Sequence, residues 1–210
     1  DDETQAGLEK LDRDSLFDGN ELCKEAIDNL LDEMIFDGDA TLGIRGAFDN
    51  ETVQKKLAAT PITVGSSASA DLAVLNEAMN APNIATKNAV RPDTLAIPLD
   101  TLNIIATKPR SSTSDKSVLM WFVENSPFID SMDNIIGSAA LQSSAPVTGF
   151  HQLMAYRADS NSVQVRLLTP RLFKVVQMVM GTVIVWHAKF TPVQWKRPYT
   201  AAIRSWDASA

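Results

Sequence analysis

The most regular pattern of hydrophobic and polar positions lies near the start of the chain. Apolar pairs recur every four residues over residues 22–35, with acidic side chains mostly between them. This period is typical of an amphipathic helix. Asp18, followed three residues later by Glu21, predicts a capping box at the helix start, and Gly38 supplies a stop. We therefore predict a long helix over about residues 18–37.

Two further helices are indicated in the first two thirds of the chain. Leucine and methionine side chains share one helical face over Ser69–Met79, and Pro82 should end this helix because proline lacks an amide proton. A shorter helix is predicted over about Lys116–Asn125, ending at Pro127. Proline, serine and threonine mark two predicted loops, Asn80–Pro92 and Lys108–Lys116.

The second half of the chain is rich in Val, Ile, Leu and aromatic residues, which favour strands. In its last apolar segment, alternate positions include Ile184, Trp186 and Phe190, which gives that strand one strongly apolar face. Pro170, Gly181 and Pro192 separate the segments. Helices followed by strands predict an α+β fold. The predicted strands are Gln152–Tyr156, Val163–Leu168, Leu172–Val179 and Thr182–Phe190.

Composition sets the broad class of protein. The chain has 210 residues, 45% of them hydrophobic, which is enough for one large or two small domains. We find no signal peptide and no apolar run long enough to cross a bilayer, so we expect a protein that is neither exported nor membrane-embedded. A single cysteine excludes an internal disulfide and suits a reducing cytoplasm.

Charge is unevenly distributed along the chain. The net charge is −7, which disfavours binding to nucleic acid. Residues 1–40 carry 14 acidic and 3 basic side chains, whereas residues 160–210 carry 7 basic side chains and one acidic. These segments are either two solvated surfaces or complementary surfaces that meet between neighbouring subunits.

Candidate catalytic residues are few, and none forms a known motif. Cys23 falls on the apolar side of the first helix, so we expect a buried, inert side chain. His151 and His187 are the only histidines, and each is more typical of a structural position than of catalysis. The sequence has no nucleophile elbow, zinc-protease motif or phosphate-binding loop. We predict no catalytic, cofactor or metal site.

Other short patterns have structural explanations. Gly43–Gly46 has the G-x-x-G form of some RNA-binding loops, but its acidic surroundings favour a tight turn. Asp37 and Asp39 could hold a cation weakly, although such pairs usually end a solvated helix. The tryptophans are more typical of core or interface anchors than of base-stacking platforms. They are Trp121, Trp186, Trp195 and Trp206.

Four ordered segments resemble a known family. The first helix is followed over Asp37–Asn50 by D-G-D-A-T-L-G-I-R-G-A-F-D-N, which resembles the segment after the spine helix of tailed-phage major capsid proteins and related encapsulin shells. Pro92–Pro98 (P-D-T-L-A-I-P), Val118–Pro127 (V-L-M-W-F-V-E-N-S-P) and Met154–Asp159 (M-A-Y-R-A-D) are similar to later segments of that family. The resemblance covers about residues 18–207.

The resemblance implies an HK-ninety-seven-type capsid fold. A peripheral domain would comprise residues 12–58 and 158–195, including the spine helix, and an axial domain residues 59–157 and 196–210. Family members usually carry an N-terminal arm and an extended loop before the spine helix. This sequence starts almost at that helix, so no lattice or cross-linking residue is inferred. The implied turn or assembly positions are Gly38, Gly43, Gly46, Asn50, Pro98, Pro127 and Tyr156.

The implied function is structural and not enzymatic. The chain would assemble with itself through pentamers and hexamers into an icosahedral shell, with no cofactor, and phage double-stranded DNA would be held only by enclosure. Portal, scaffold or decoration proteins are the further partners implied. The shell would form in the host cytoplasm and persist as the virion capsid. The alternatives are an encapsulin-like cargo compartment and a small soluble hydrolase or ligand-binding domain whose site forms only in three dimensions.

Overall fold

The computed structural model describes residues 21–39, 41–48, 50–142, 150–178 and 181–207. Four α-helices and eleven strands lie within these ranges, confirming the α+β class. The helices are α1 (residues 21–36), α2 (Ala68–Ala85), α3 (Leu99–Thr107) and α4 (Val118–Asn125). The strands are β1 (Gly38–Asp39), β2 (Ile44–Arg45), β3 (Gln54–Leu57), β4 (Thr94–Pro98), β5 (Ile135–Ser138), β6 (His151–Tyr156), β7 (Val163–Gln164), β8 (Leu167–Met178), β9 (Gly181–Phe190), β10 (Gln194–Trp195) and β11 (Ala201–Trp206).

A five-stranded mixed sheet in the order β3-β11-β6-β4-β5 organises the core. Strand β11 runs parallel to β3 and antiparallel to β6, and β4 runs antiparallel to β6 and parallel to β5. Alternate residues of β6 face opposite sides, because Leu153 packs with α2 and α4 whereas Met154 packs in a second cluster. The central strands are therefore covered on both faces.

Helix α1 follows the predicted period but is less buried than expected. Residues 18–20, including the predicted capping residue Asp18, lie outside the described residues. Leu31 is buried, with Ile27, Met34 and Ile35 partly buried beside it. The prediction of a buried Cys23 is wrong, because Cys23 is exposed. The apolar stripe is broader than the surface that packs against it, and Cys23 lies on its uncovered half.

Helix α2 continues through the predicted stop. It ends at Ala85, with Pro82 inside it, so the predicted loop starts several residues too early. Pro82 is buried together with Met79, and the amide and hydroxyl of Thr86 both donate hydrogen bonds to the Pro82 carbonyl oxygen. Burial and this capping offset the local penalty of proline. Helix α4 confirms the third predicted helix, while α3 was not predicted.

The long hairpin formed by β8 and β9 contains Pro170, which was expected to separate two strands. Strand β8 instead runs through Pro170. The register with β9 shifts between Leu168 and Arg171, and such irregularities accommodate a residue that cannot donate a ladder hydrogen bond. The short pair β7–β10 lies beyond the hairpin. Strands β6 and β9 match their predicted ranges to within one residue.

Candidate functional site

The glycine-rich segment after α1 forms a tight hairpin. Strands β1 and β2 pair Gly38 with Arg45, and Gly43 adopts a φ of +67° in the turn between them. The Oδ1 atom of Asp39 accepts hydrogen bonds from the amide of Thr41 at 2.8 Å and its hydroxyl at 2.6 Å. These bonds, with the Thr41 hydroxyl contributing most, lower the pKa of Asp39. The G-x-x-G sequence is therefore part of a turn.

This hairpin folds back onto the end of α1. The amides of Ala47 and Phe48 donate hydrogen bonds to the carbonyl oxygens of Ile35 and Phe36, at 2.8 and 3.3 Å. The last carbonyls of a helix have no partner within the helix, so the hairpin serves as its cap. The Phe36 and Phe48 rings stack with centroids 5.4 Å apart. A side chain on Gly46 would overlap the Phe36 carbonyl group, so this close approach requires glycine.

Asn50 closes the segment with a second local turn. Its Oδ1 atom accepts hydrogen bonds from the amide of Thr52 at 3.0 Å and from the Thr52 hydroxyl at 2.6 Å. Asn50 thus directs the chain from the glycine hairpin toward β3.

An apolar cleft of about 110 Å³ opens beside the hairpin. The Tyr156 and Trp195 rings meet edge to face with centroids 6.0 Å apart, and the indole nitrogen of Trp195 donates to the Ala47 carbonyl oxygen at 3.3 Å. Burial, and then the nearby Asp93 carboxylate, raise the pKa of Tyr156. The cleft is lined by Ile35, Phe36, Ala47, Phe48, Met154, Tyr156, Val163, Val165, Val193 and Trp195.

The chemistry of the cleft is that of a packing surface. Among the described residues that line the cleft, Tyr156 carries the one ionisable side chain, so these residues supply no acid–base pair. His151 and His187 lie on different sheets, in β6 and β9. Within the described ranges, no group of three or more His, Cys, Asp or Glu side chains could hold a metal ion. No helix in those ranges has both the length and the apolar character needed to cross a membrane.

The remaining predicted positions lie elsewhere. Pro98 is buried at the junction of β4 and α3. Pro127 follows α4, and its carbonyl oxygen accepts a hydrogen bond from the guanidinium of Arg91, which also lies 5.7 Å from the Phe128 ring centroid. The three glycines and Asn50 therefore belong to one segment and Tyr156 to the adjoining cleft, whereas Pro98 ends β4 and Pro127 lies just after α4.

A buried ion pair at the first turn of α2 was not predicted from the sequence. The Lys108 ammonium lies 2.6 Å from the Asp71 carboxylate, and their side chains are 12% and 0% exposed. Lys108 also donates to the carbonyl oxygens of Thr63 and Ser66, at 2.6 and 3.1 Å. These contacts join the loop before α2 to the end of α3. The signal available in the sequence was Asp71 in the first turn of the second helix, but nothing local identified its partner.

The model of the family described as "Major capsid protein" matches residues 17–205. Similar solved structures include the capsid of Myoviridae phage XM1, with a TM-score of 0.74 and 16% identity over 88% of this chain and 63% of that chain. A virus-like particle from Pyrococcus furiosus has a TM-score of 0.52 and 12% identity over 82% of this chain and 61% of that chain. Gordonia phage Cozz has a TM-score of 0.54 and 12% identity over 88% of this chain and 62% of that chain.

The chain thus spans about three fifths of the length of these matched structures. No protein with a curated description matches the sequence. The chain belongs to the major capsid protein family, and its fold is the HK-ninety-seven-type capsid fold.

Proposed function

We propose that this chain is the shell-forming body of a tailed-phage major capsid protein. It assembles with itself through pentamers and hexamers into an icosahedral shell that encloses double-stranded DNA. The family match over residues 17–205 carries this proposal most directly. The likeness to the capsid of phage XM1, at a TM-score of 0.74, supports it.

The proposed domains are those implied by the family resemblance. The peripheral domain comprises residues 12–58 and 158–195, which include α1, the glycine hairpin and the β8–β9 hairpin. The axial domain comprises residues 59–157 and 196–210, which supply four of the five strands in the central sheet. The fifth strand, β3, belongs to the peripheral range and pairs with β11, so it links the two domains.

The implied turn and assembly positions divide into two proposed roles. The glycine hairpin and Asn50 hold the end of α1 in place. Pro98 and Pro127 hold neighbouring elements of the axial domain, and Tyr156 contacts Trp195 of the peripheral domain. Portal, scaffold or decoration proteins would bind to surfaces of the finished or growing shell, which forms in the host cytoplasm and becomes the virion capsid.

Packaged DNA is proposed to be held by confinement. A net charge of −7 disfavours contact with the phosphate backbone of DNA. A shell wall that does not bind the genome needs no nucleic-acid site. Purified subunits should therefore show little sequence-independent DNA binding at moderate salt. Substantial binding in a filter or anisotropy assay would contradict this part of the proposal.

An encapsulin-like compartment is the second candidate. The likeness to a virus-like particle from Pyrococcus furiosus, at a TM-score of 0.52, favours it. Such a shell would hold a cargo enzyme in place of a genome. A hydrolase or ligand-binding role receives no comparable support, because the family match and the similar structures are those of shell proteins.

Nuclease protection separates the two shell functions. Particles isolated from the native host should sediment as large, uniform assemblies that contain nuclease-resistant double-stranded DNA. Large particles that contain a protein cargo and no DNA would favour the compartment. A chain that stays strictly monomeric at high concentration would contradict both.

A further inference from the structure

Helix α1 exposes an apolar strip that the other described residues leave uncovered. Leu22, Ala26 and Leu30 lie four residues apart and therefore share one face of the helix. Leu22 is 65% exposed and Leu30 is 55% exposed. Leu31, one residue on, points toward the protein and is buried. A strip of this kind on a long helix is typical of a protein–protein contact.

A row of carboxylates runs along α1 between this strip and the buried face of the helix. Glu21, Glu25, Asp28 and Asp32 are all exposed and cluster there at helical spacing. Glu25 and Asp32 are seven residues apart, which corresponds to about 10 Å along the helix axis. The exposed surface of α1 thus combines apolar and acidic side chains in parallel rows.

The β8–β9 hairpin presents the opposite combination. Leu168 pairs with Lys189, and Arg171 pairs with His187, so these four residues share one face of the hairpin. Val185, His187 and Lys189 occupy every second position of β9, so Val185 lies on the same face. All five side chains are exposed. Arg171 and Lys189 are offset by two residue positions, or about 7 Å along the strands.

We propose that this face of the β8–β9 hairpin binds the acidic and apolar face of α1 on a second copy of the chain. Leu168 and Val185 would pack on Leu22 and Leu30. The basic side chains would lie opposite the carboxylate row, whose spacing long Arg and Lys side chains can span.

The partner is proposed to be a second copy because, among the described residues, both surfaces are exposed on the same chain and neither covers the other. The charge asymmetry of the whole sequence agrees: residues 1–40 carry 14 acidic and 3 basic side chains, and residues 160–210 carry 7 basic and one acidic. The contact joins two different surfaces, and repeated contacts of that type build rings or extended lattices. The inference rests on the proposed shell function, which needs such contacts.

Charge reversal on each side, followed by combination, tests this pairing. The helix variant is Glu25→Lys with Asp32→Lys, and the hairpin variant is Arg171→Glu with Lys189→Glu. A control matched to the helix variant, Asp115→Lys with Asp130→Lys, makes the same change in net charge at exposed positions outside the two proposed surfaces. Sedimentation and electron microscopy measure the concentration at which assembly begins, and circular dichroism checks that each variant is folded.

Each one-sided reversal should raise the assembly concentration about tenfold or more, since like charges then face each other. The combined variant should return to within about threefold of the wild type, and the control should match the wild type. One-sided variants that assemble normally would overturn the pairing and leave the shell function intact, and so would a combined variant that fails while both one-sided variants are folded.

The same variants distinguish failure of the proposed shell function from failure of the proposed pairing between α1 and the β8–β9 hairpin. If the wild type forms small oligomers and no shells, the shell function is wrong. The pairing still stands if each reversal dissociates those oligomers and the combination restores them, and it falls if they do not respond. A strictly monomeric wild type would overturn both.

Discussion

Replacing Lys108 by methionine tests the buried ion pair most sharply. Methionine keeps the length and apolar stem of lysine but removes the ammonium group that lies 2.6 Å from the Asp71 carboxylate. The Asp71 side chain is fully buried, so water cannot replace the lost partner. The substitution also leaves the Thr63 and Ser66 carbonyl oxygens without this donor.

The expected loss is large for a single substitution. Removing one partner of a buried pair costs about 3–5 kcal/mol of unfolding free energy, because it leaves an uncompensated charge. The hydroxyl of Ser66 still donates to the other oxygen of Asp71, at 2.5 Å, and the start of α2 favours negative charge. We therefore expect a loss near the lower limit, about 3 kcal/mol.

Urea unfolding of the purified chain, followed by circular dichroism, measures this loss. The control is Lys116→Met, which breaks an ion pair with Glu124 whose side chains are 51% and 44% exposed. That change should cost less than about 1 kcal/mol. Lys108→Met combined with Asp71→Leu should recover at least half of the loss, because no buried charge is left unpaired. A Lys108→Met variant as stable as the Lys116→Met control would refute the reasoning.

Two further predictions concern close packing and pH. Gly46→Ala should destabilise the fold by about 3 kcal/mol or more in thermal or urea unfolding, because its new methyl group meets backbone atoms. The control, Gly65→Ala, adds a methyl group into open space and should be neutral or stabilising by up to about 1 kcal/mol. The pKa of Glu77 is lowered below its ordinary value of 4.5, mainly by its hydrogen bond to Lys56 and also by Arg204. The stability that this lowered pKa contributes is present above pH 4.5 and is lost as the pH falls through the lowered pKa. Glu77→Gln should therefore be less stable than the wild type near pH 7. The difference in unfolding free energy between the two should narrow in acid unfolding titrations. An unchanged difference at pH 3, or a Gly65→Ala variant as damaged as Gly46→Ala, would contradict the respective prediction.

Elements with strong local periodicity were predictable from the sequence. The four-residue apolar repeat of α1 and the alternation in β9 depend only on neighbouring residues, so each indicated the correct element. The glycine hairpin was predicted as a turn for the same reason: Gly43 supplies a positive φ and the surrounding residues favour no longer element.

The errors arose where tertiary packing outweighs local preference. Pro82 remains inside α2 because its side chain is buried, and Pro170 remains inside β8 at a shift of register. Cys23 is exposed because an apolar stripe does not reveal how much of it the same chain covers. In a subunit that binds other subunits, part of such a stripe is available for partners.

The missed features depend on residues distant in sequence. Strand β3 has the sequence Q-K-K-L, which shows no strand pattern, and it forms by pairing with β11 about 150 positions later. Helix α3 has nine residues, too few for a clear period. The partnership of Asp71 with Lys108 could not be inferred from either residue's neighbours. The assembly positions remain predictions from the family resemblance, because a subunit surface carries no local motif that would identify them.

Electron microscopy of the purified protein tests the central claim most directly, because it shows the assembly itself. A shell protein should appear as uniform closed particles, or as five- and six-membered rings where closure is incomplete, and the fraction in these forms should rise with protein concentration. A single monomeric species at high concentration, with no rings or shells, would contradict the proposed function.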